Sequence, residues 1–510
     1  MLALVKDLSR RLNEAEVAYC HWKSNEHLAA GAAGLTDLDL LVDRRHGLKL
    51  QHILCACGFK RFAAPPLRAY PAVEDYLGLD DATGCLVHLH MHYELTLGER
   101  HLKGYRLPWE ARVLQTRRLE PSLGIYTADP VLELLMLLVR AALKLRLRDR
   151  IGRHLPARHR GKPSDFEREL AWLRERTQPA RVLEEARDRL GPACMPALTR
   201  LLAGAHGASD LSDLAKAVRP TLRAFRTYGP LDAPLRAWSR ELHWYLDAVN
   251  RRHLNLAIPL RRICPRGGTV IVLVGSDGTG KSTLSRTLKT WLGWKLDVVP
   301  IYFGSGEGQA AIYRKPLRIA HRYLRAFLGR TSPASLPPDA ASPASARAPG
   351  GDVQPDARET LRALARIPWA IALSLEKRGK LRRMIRARNR GMIVICDRYP
   401  QSEVHGFNDG PLLSHWRNHR RWICRALSEW EGKPYLQAVD AAPELVVKLV
   451  AAHAVVSLRR PEMSPRGIER RISAVQALRF GPTTKVVELD ASSSLEAIAL
   501  AAKRYVWAEL

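Results

Sequence analysis

The chain has 510 residues, 46% hydrophobic and 26% charged, which excludes a disordered or fibrous protein and is too long for one hydrophobic core. Lys and Arg number 81 against 51 Asp and Glu, a formal charge of +30. Arg outnumbers Lys and Ala is abundant, so the excess is read as compositional bias that also suits the handling of phosphates, and a nucleic-acid partner is set aside.

The first seventeen residues, MLALVKDLSRRLNEAEV, predict an amphipathic helix, because no sustained apolar run follows the charges as a signal peptide would need. Eight cysteines without a CxxC pair fit reduced thiols, and the CxC of Cys55 and Cys57 is read as buried structure. A cytoplasmic location is expected. Up to about residue 120, the runs AEVAYCHW, TDLDLLVD and CLVHLHMHYEL are of strand length and bounded by turns, predicting a small α/β domain at 1–120. Residues 121–262 turn helical, with Leu, Ala and Arg at three- and four-residue spacing. The apolar stretch 131–143 is broken by Glu133 and Arg140 and falls short of the roughly 20 residues that span a bilayer, so it predicts a buried helix and no membrane span. A dense basic run follows from Lys144.

The third region, 263–510, opens with GGTVIVLVGSDGTGKSTLSRTLKTWL: an apolar strand, a Gly-rich turn and a helix. Further strands at DVVPIYF, GMIVICD, PELVVKLV and KVVELD alternate with helices, which predicts a parallel sheet covered by helices on both faces. The Pro-, Ala- and Ser-rich stretch at 331–357 predicts a disordered insertion.

Residues 275–282, GSDGTGKS, satisfy G-x-x-x-x-G-K-[ST], in which backbone N–H groups and the following helix N-terminus cradle phosphates. The binding set is Gly275, Ser276, Asp277, Gly278, Thr279, Gly280, Lys281, Ser282 and Thr283. Lys281 is placed to reach the β- and γ-phosphates, and Ser282 to offer a hydroxyl to Mg²⁺. By chance the octet arises in roughly one or two of a hundred chains this long. No guanine-reading NKxD motif is present, which favours ATP.

From 268 onward the chain resembles the thymidylate kinase family of nucleoside monophosphate kinases. The resemblance rests on GSDGTGKST, on GMIVICDRYPQS with its D-R-Y-x-x-S, and on PELVVKLV followed by SLRRPEMSPRGIERR. It implies that Asp277 faces the acceptor, that Arg398 grips an acceptor phosphate, and that Asp397 orients it or supports Mg²⁺. It also implies a mobile lid whose arginines, Arg459, Arg460, Arg466, Arg470 and Arg471, stabilise the transferring group. Two segments depart from the family: His405, Gly406 and Phe407 stand where a base-reading glutamine is expected, and YFGSGEG from Tyr302 replaces the acceptor turn. The acceptor pocket is therefore rewritten, and the acceptor is either a nucleoside monophosphate or a glycan precursor.

Near the N-terminus, Lys23 and Ser24 precede Asp37 and Asp39, two aspartates at i and i+2 that share one strand face, as a divalent metal pair requires. This resembles the nucleotidyltransferase fold. His88, His90 and His92 occupy one face of the strand where a third acid belongs, and they read either as transition-metal ligands or as a polar, partly exposed strand face. The whole arrangement, an N-terminal nucleotidyltransferase-like domain, a helical middle and a thymidylate-kinase-like domain, resembles bacterial proteins associated with surface polysaccharide biosynthesis. Three readings follow: an ATP-dependent phosphotransferase, an ATP-binding regulatory or scaffold protein with little turnover, and a bifunctional enzyme with N-terminal nucleotidyl transfer. A homodimer is compatible with each.

Overall fold

The computed structural model describes residues 1–98, 102–144, 165–204, 208–229, 231–254, 256–304, 357–404 and 410–510. It divides into two compact units, Met1–Arg252 with Leu260–Arg262, and His253–Pro259 with Ile263–Leu510. The basic run after Lys144, the expected insertion up to 356 and the 405–407 departure lie outside the described residues.

In the N-terminal unit the helix Ala3–Glu14 turns Val5, Leu8 and Leu12 inward, the spacing of one buried stripe. It covers a seven-stranded sheet of order β3-β4-β5-β2-β1-β9-β8. In that sheet β1 is Tyr19–His21, β2 Leu38–Val42, β3 Lys60–Phe62, β4 Val73–Asp80, β5 Cys85–His92, β8 Arg118–Glu120 and β9 Ile125–Thr127; β6 (Leu95–Leu97) and β7 (Tyr105–Leu107) form a separate ribbon. β2 pairs parallel with β5 and antiparallel with β1. The period of two sorts the side chains. Leu38, Leu40 and Val42 share one core with Val87, Leu89 and Met91, which sends Asp39 and the three histidines of β5 to the opposite face.

That opposite face is closed by helices. Pro130–Lys144 is apolar nearly all round, with residues 131–139 buried, and shares a core with Cys20, Trp22 and Leu41 and with the helices Asp165–Arg174, Pro179–Leu190, Met195–Leu202 and Ala208–Thr221. One expectation fails here. Cys55 is exposed and Cys57 half-buried, because the buried stripe of their helix, Gly47–Ala56, runs through Leu50 and Leu54.

In the C-terminal unit five strands run parallel in the order β11-β12-β10-β13-β14. They are β10 Val270–Gly275, β11 Val298–Tyr302, β12 Ile393–Asp397, β13 Leu445–Val450 and β14 Lys485–Asp490. β10 and β12 are buried along their whole length, as strands covered on both faces must be. Val270, Val272 and Val274 pack with Leu381, Met384 and Ala387 of the long helix Ala357–Asn389. β10 is the centre of the sheet, flanked by β12 and β13, and this reversal of strand order opens a crevice at the strands' C-terminal ends, where ligands bind in such sheets. No helix among the described residues is long and apolar enough to cross a membrane.

The entry into β10 leaves no room for a side chain. A Cβ on Gly268 would stand 2.0 Å from the Met392 carbonyl oxygen and 2.9 Å from that of Arg388, whereas one on Gly432, in the helix Trp422–Asp440, meets nothing within 4 Å. Gly268→Ala is expected to lower stability in urea by at least about 1–3 kcal/mol. Gly432→Ala should be neutral or raise it by up to about 1 kcal/mol. Equal midpoints for the two variants would contradict this packing.

Candidate functional site

The C-terminal end of β10 builds the first site. Gly275 ends the strand where a Cβ would lie 2.6 Å from Thr279 Oγ1 and 2.8 Å from the Leu449 carbonyl oxygen, so the loop folds back against β13 only with glycine here. Gly278 and Gly280 take φ of +89° and +87°, the left-handed region that costs glycine little. Gly280 then caps the helix Lys281–Leu292, which aims its positive end at the loop. Thr279 Oγ1 donates to the Ser276 carbonyl at 2.8 Å and Lys281 Nζ donates to the same oxygen at 2.6 Å. Burial, with Arg398 nearby, pushes the Lys281 ammonium down to about 8. Ser282 and Thr283 face outward from the first helical turn.

Four further groups meet at this loop. Ser282 Oγ donates to Asp397 Oδ2 at 2.8 Å, while Asp397 Oδ1 is buried with no hydrogen-bond partner among the described residues. A hydroxyl beside a carboxylate with a free buried oxygen is a donor set that fits a hard divalent cation. Asp277 accepts from Arg398 Nη2 at 2.8 Å and from Arg471 Nη1, and Lys281 Nζ stands 3.9 Å away. Burial disfavours the Asp277 anion, yet Arg398, Lys281, Arg471 and Arg460 hold its carboxyl below the usual range.

Arg398 sits at φ +68°, a conformation that costs a residue with a Cβ about 1–3 kcal/mol. Its neighbours hold it there: its N–H donates to the Leu273 carbonyl, and the Tyr399 hydroxyl reaches the Ala438 and Ala441 carbonyls. Arg459 Nη1 donates to the Gly278 carbonyl at 3.3 Å. The side chain of Arg460 is what a Cβ at Gly278 would meet first. Ser464 caps the helix Pro465–Ala477, whose second turn carries Arg471 to Asp277, while Arg466 and Arg470 are exposed. The structure thus gathers Lys281, Ser282, Asp277, Asp397, Arg398, Arg459, Arg460 and Arg471 at one strand end and leaves Arg466 and Arg470 outside.

A second constellation lies in the N-terminal unit. Asp39 Oδ1 is 2.9 Å from Lys23 Nζ and 3.2 Å from both His90 Nδ1 and His92 Nε2. Asp37 pairs instead with His88 Nδ1 at 2.9 Å. Asp75 lies 3.1 Å from His88 Nε2, 3.0 Å from His90 Nε2 and 2.9 Å from Arg262 Nε. Asp37 and Asp39 therefore belong to two clusters that share His90, Asp37–His88–His90 and Asp39–His90–His92, each with ligand atoms close enough together to hold a metal ion. His88 and His92 are fully buried, whereas His90, Asp37 and Asp39 are half-buried, so the face is closed at two histidines and partly open between them. Asp75 and Arg262 were missed. Asp75 lies on β4, a strand with too little alternation to stand out, and Arg262 is 172 residues from His90 in sequence.

No family model matches the chain. It is similar to the "Uncharacterized ATP-binding protein YghS" of Escherichia coli K12, at 28% identity over 265 residues, 51% of this chain and 100% of that protein. It is also similar to the "Uncharacterized ATP-binding protein YghR" of the same strain, at 28% over 228 residues, 43% of this chain and 80% of that one. Among solved structures, thymidylate kinase from Candida albicans aligns with a TM-score of 0.26 at 15% identity, covering 47% of this chain and 91% of that one.

The three histidines should titrate apart. Burial lowers His88 and His92, His92 far below the ordinary histidine range; for His90 burial is outweighed by hydrogen bonds to Asp39 and Asp75, and its value rises. Stability from protonated His90 is present below the ordinary value and lost as pH rises through the raised one. His88 and His92 act oppositely, costing stability as pH falls through the ordinary range. Imidazole NMR across a pH series should show His90 last to deprotonate; a common midpoint for all three would contradict the network.

Proposed function

We propose that the C-terminal unit is an ATP- and Mg²⁺-dependent phosphotransferase acting on a phosphorylatable small molecule, either a nucleoside monophosphate or a glycan precursor. The observation that carries the reading is the convergence of Arg398, Arg471 and Lys281 on Asp277 beside the Ser282–Asp397 pair. Anchoring groups for phosphate and a carboxylate for an acceptor hydroxyl are brought to one strand end, as phosphoryl transfer by positioning and electrostatics requires. The thymidylate-kinase resemblance and the similarity to the two Escherichia coli ATP-binding proteins support ATP as the nucleotide.

The chain's own groups divide the work. Lys281 Nζ exchanges the Ser276 carbonyl for phosphate oxygens, and the N–H groups of the loop and first helical turn wrap the same oxygens. Ser282 and Asp397 would hold Mg²⁺, which would supply charge neutralisation for the phosphates. Arg398 grips the acceptor's own phosphate or an equivalent anionic group by a two-pronged contact. Asp277, released from an arginine when that anion arrives, accepts a hydrogen bond from the acceptor hydroxyl and aligns it. Arg459, Arg460 and Arg471 approach the loop from the segment after β13, where charge on the transferring group is greatest.

Lys281→Ala should abolish acceptor-dependent conversion of ATP to ADP in a metabolite panel while the far-ultraviolet dichroism stays unchanged; undiminished turnover in the variant overturns the proposal. ATP binding without ADP formation for any acceptor would instead favour the regulatory or scaffold reading.

The Lys281 value near 8 gives a second expectation. Phosphate oxygens favour the ammonium, so binding raises that value. Affinity for Mg·ATP is then fully present below about pH 8 and weakens as pH climbs above it, with proton uptake near pH 8.5. Calorimetry in two buffers of different ionisation heat measures that uptake; identical heats would contradict it.

A further inference from the structure

The helix Asp232–Val249 is built the wrong way round for a helix of an isolated chain. The residues it buries are polar: Arg240, His243 and Asp247, with Asn250 just beyond. Arg240 donates to the Ala69 carbonyl at 2.8 Å, His243 Nε2 lies 3.0 Å from the Leu260 carbonyl, and Asp247, fully buried, pairs with Arg68 at 2.9 Å and with Arg251 at 3.0 Å. These anchors fix the helix rotation, because turning it would bury Leu or Trp only by parting Asp247 from Arg68 and Arg261, which reach it from other segments, at a cost of several kcal/mol.

The outward side is apolar. Leu231 is 83% exposed, Leu235 68%, Trp238 66%, Leu242 42% and Tyr245 67%, with Leu246 beside them. Their spacing, four, three, four and three residues, is the seam of two packed helices and sustains one straight stripe. Solvent-facing side chains singly exposed are ordinary; a continuous stripe of this size on a monomer is not.

We propose that this stripe is the interface of a homodimer, in which two copies of the helix pair antiparallel about a two-fold axis at Trp238. The stripe is self-complementary, which an isologous contact demands: about Trp238 the positions run three and seven residues back and four and seven forward. In the antiparallel pair the two indoles meet at the axis, Leu235 of one protomer faces Leu242 of its partner, and Leu231 faces Tyr245. The area is sufficient. Aromatic side chains bury roughly 150–250 Å² each, so Trp238 and Tyr245 with four leucines approach the roughly 800 Å² per partner of a stable complex. A helix with the same seam is the partner that spacing selects, and a second copy of this chain supplies one. A flat lipid surface has no use for the heptad register. The inference is independent of the phosphotransferase reading, since the helix lies in the N-terminal unit.

Sedimentation velocity of the full chain from low to high micromolar should give about twice the 57.2 kDa mass of one chain. Trp238→Glu, at the centre of the seam, should weaken self-association roughly 30-fold or more. Leu242→Glu, carrying the same charge at a second seam position, should do likewise. Because both positions are exposed in the single chain, the far-ultraviolet dichroism of each variant should match the parent, which separates lost pairing from lost folding. A parent that sediments as one chain throughout, or variants that dimerise as tightly as the parent, overturn the proposal. So does a monomeric parent that floats with anionic phosphatidylserine vesicles, an outcome that assigns the stripe to a membrane surface.

Discussion

A half-buried carboxylate is kept ionised by the cations around it, and the candidate site of the C-terminal unit depends on how Asp277 is matched. Its cations come from three elements: Lys281 from the first turn of the loop helix, Arg398 from the end of β12, and Arg471 from the helix Pro465–Ala477. One charge therefore ties the loop, its neighbouring strand and the segment after β13 into one arrangement. Each of these cations carries a charge that suits phosphate. The Lys281 ammonium is lowered to about 8 chiefly by burial and next by Arg398, against the opposing pull of Asp277 and Asp397.

The N-terminal unit solves a similar problem with a different result. Asp39, half-buried, and Asp75, buried, are held well below the usual carboxylate range against the cost of burial, by Lys23, His90 and His92 in one case and by His88, His90 and Arg262 in the other. Here the compensation is local and mutual. Lys23 pairs with Asp39, and His88 with Asp37. The i, i+2 spacing brings two carboxylates to one face, but the cations already present decide what they face. The histidines of β5 consequently act as bridges between aspartates, with His90 touching both Asp39 and Asp75.

How much of this was legible in the sequence follows from how local each signal is. Gly275 through Ser282, the apolar run before it and the helix after it are contiguous, so strand, loop and helix could be read together, as could β12 ending at Asp397. The parallel sheet was legible because strands buried on both faces are unbroken apolar runs. The pairing of Asp277 with Arg471, 194 residues on, is set by the fold and not by spacing. Asp75 was invisible for another reason: VEDYLGLD mixes charge and glycine, so β4 is a strand chiefly because β3 and β5 flank it. The contacts of His88 and His90 with Asp75 likewise depend on the pairing of β4 with β5.

The helix Asp232–Val249 marks the limit of periodicity itself. A period of 3.6 identifies a helix and divides it into an apolar and a polar side, but it carries no direction: the same pattern describes a helix laid on its own core and one that presents its apolar side to another molecule. Direction comes from the strongest anchor available. For most helices that anchor is the apolar stripe, since burying it gains more than any polar contact offers. Here a buried aspartate outweighs it, because rolling the helix over would part Asp247 from Arg68 and Arg261 and leave their charges uncompensated. Wherever a helix carries both a leucine and tryptophan seam and a charged residue matched by cations from distant loops, the charged side goes in first, and the seam is left for whatever molecule can cover it.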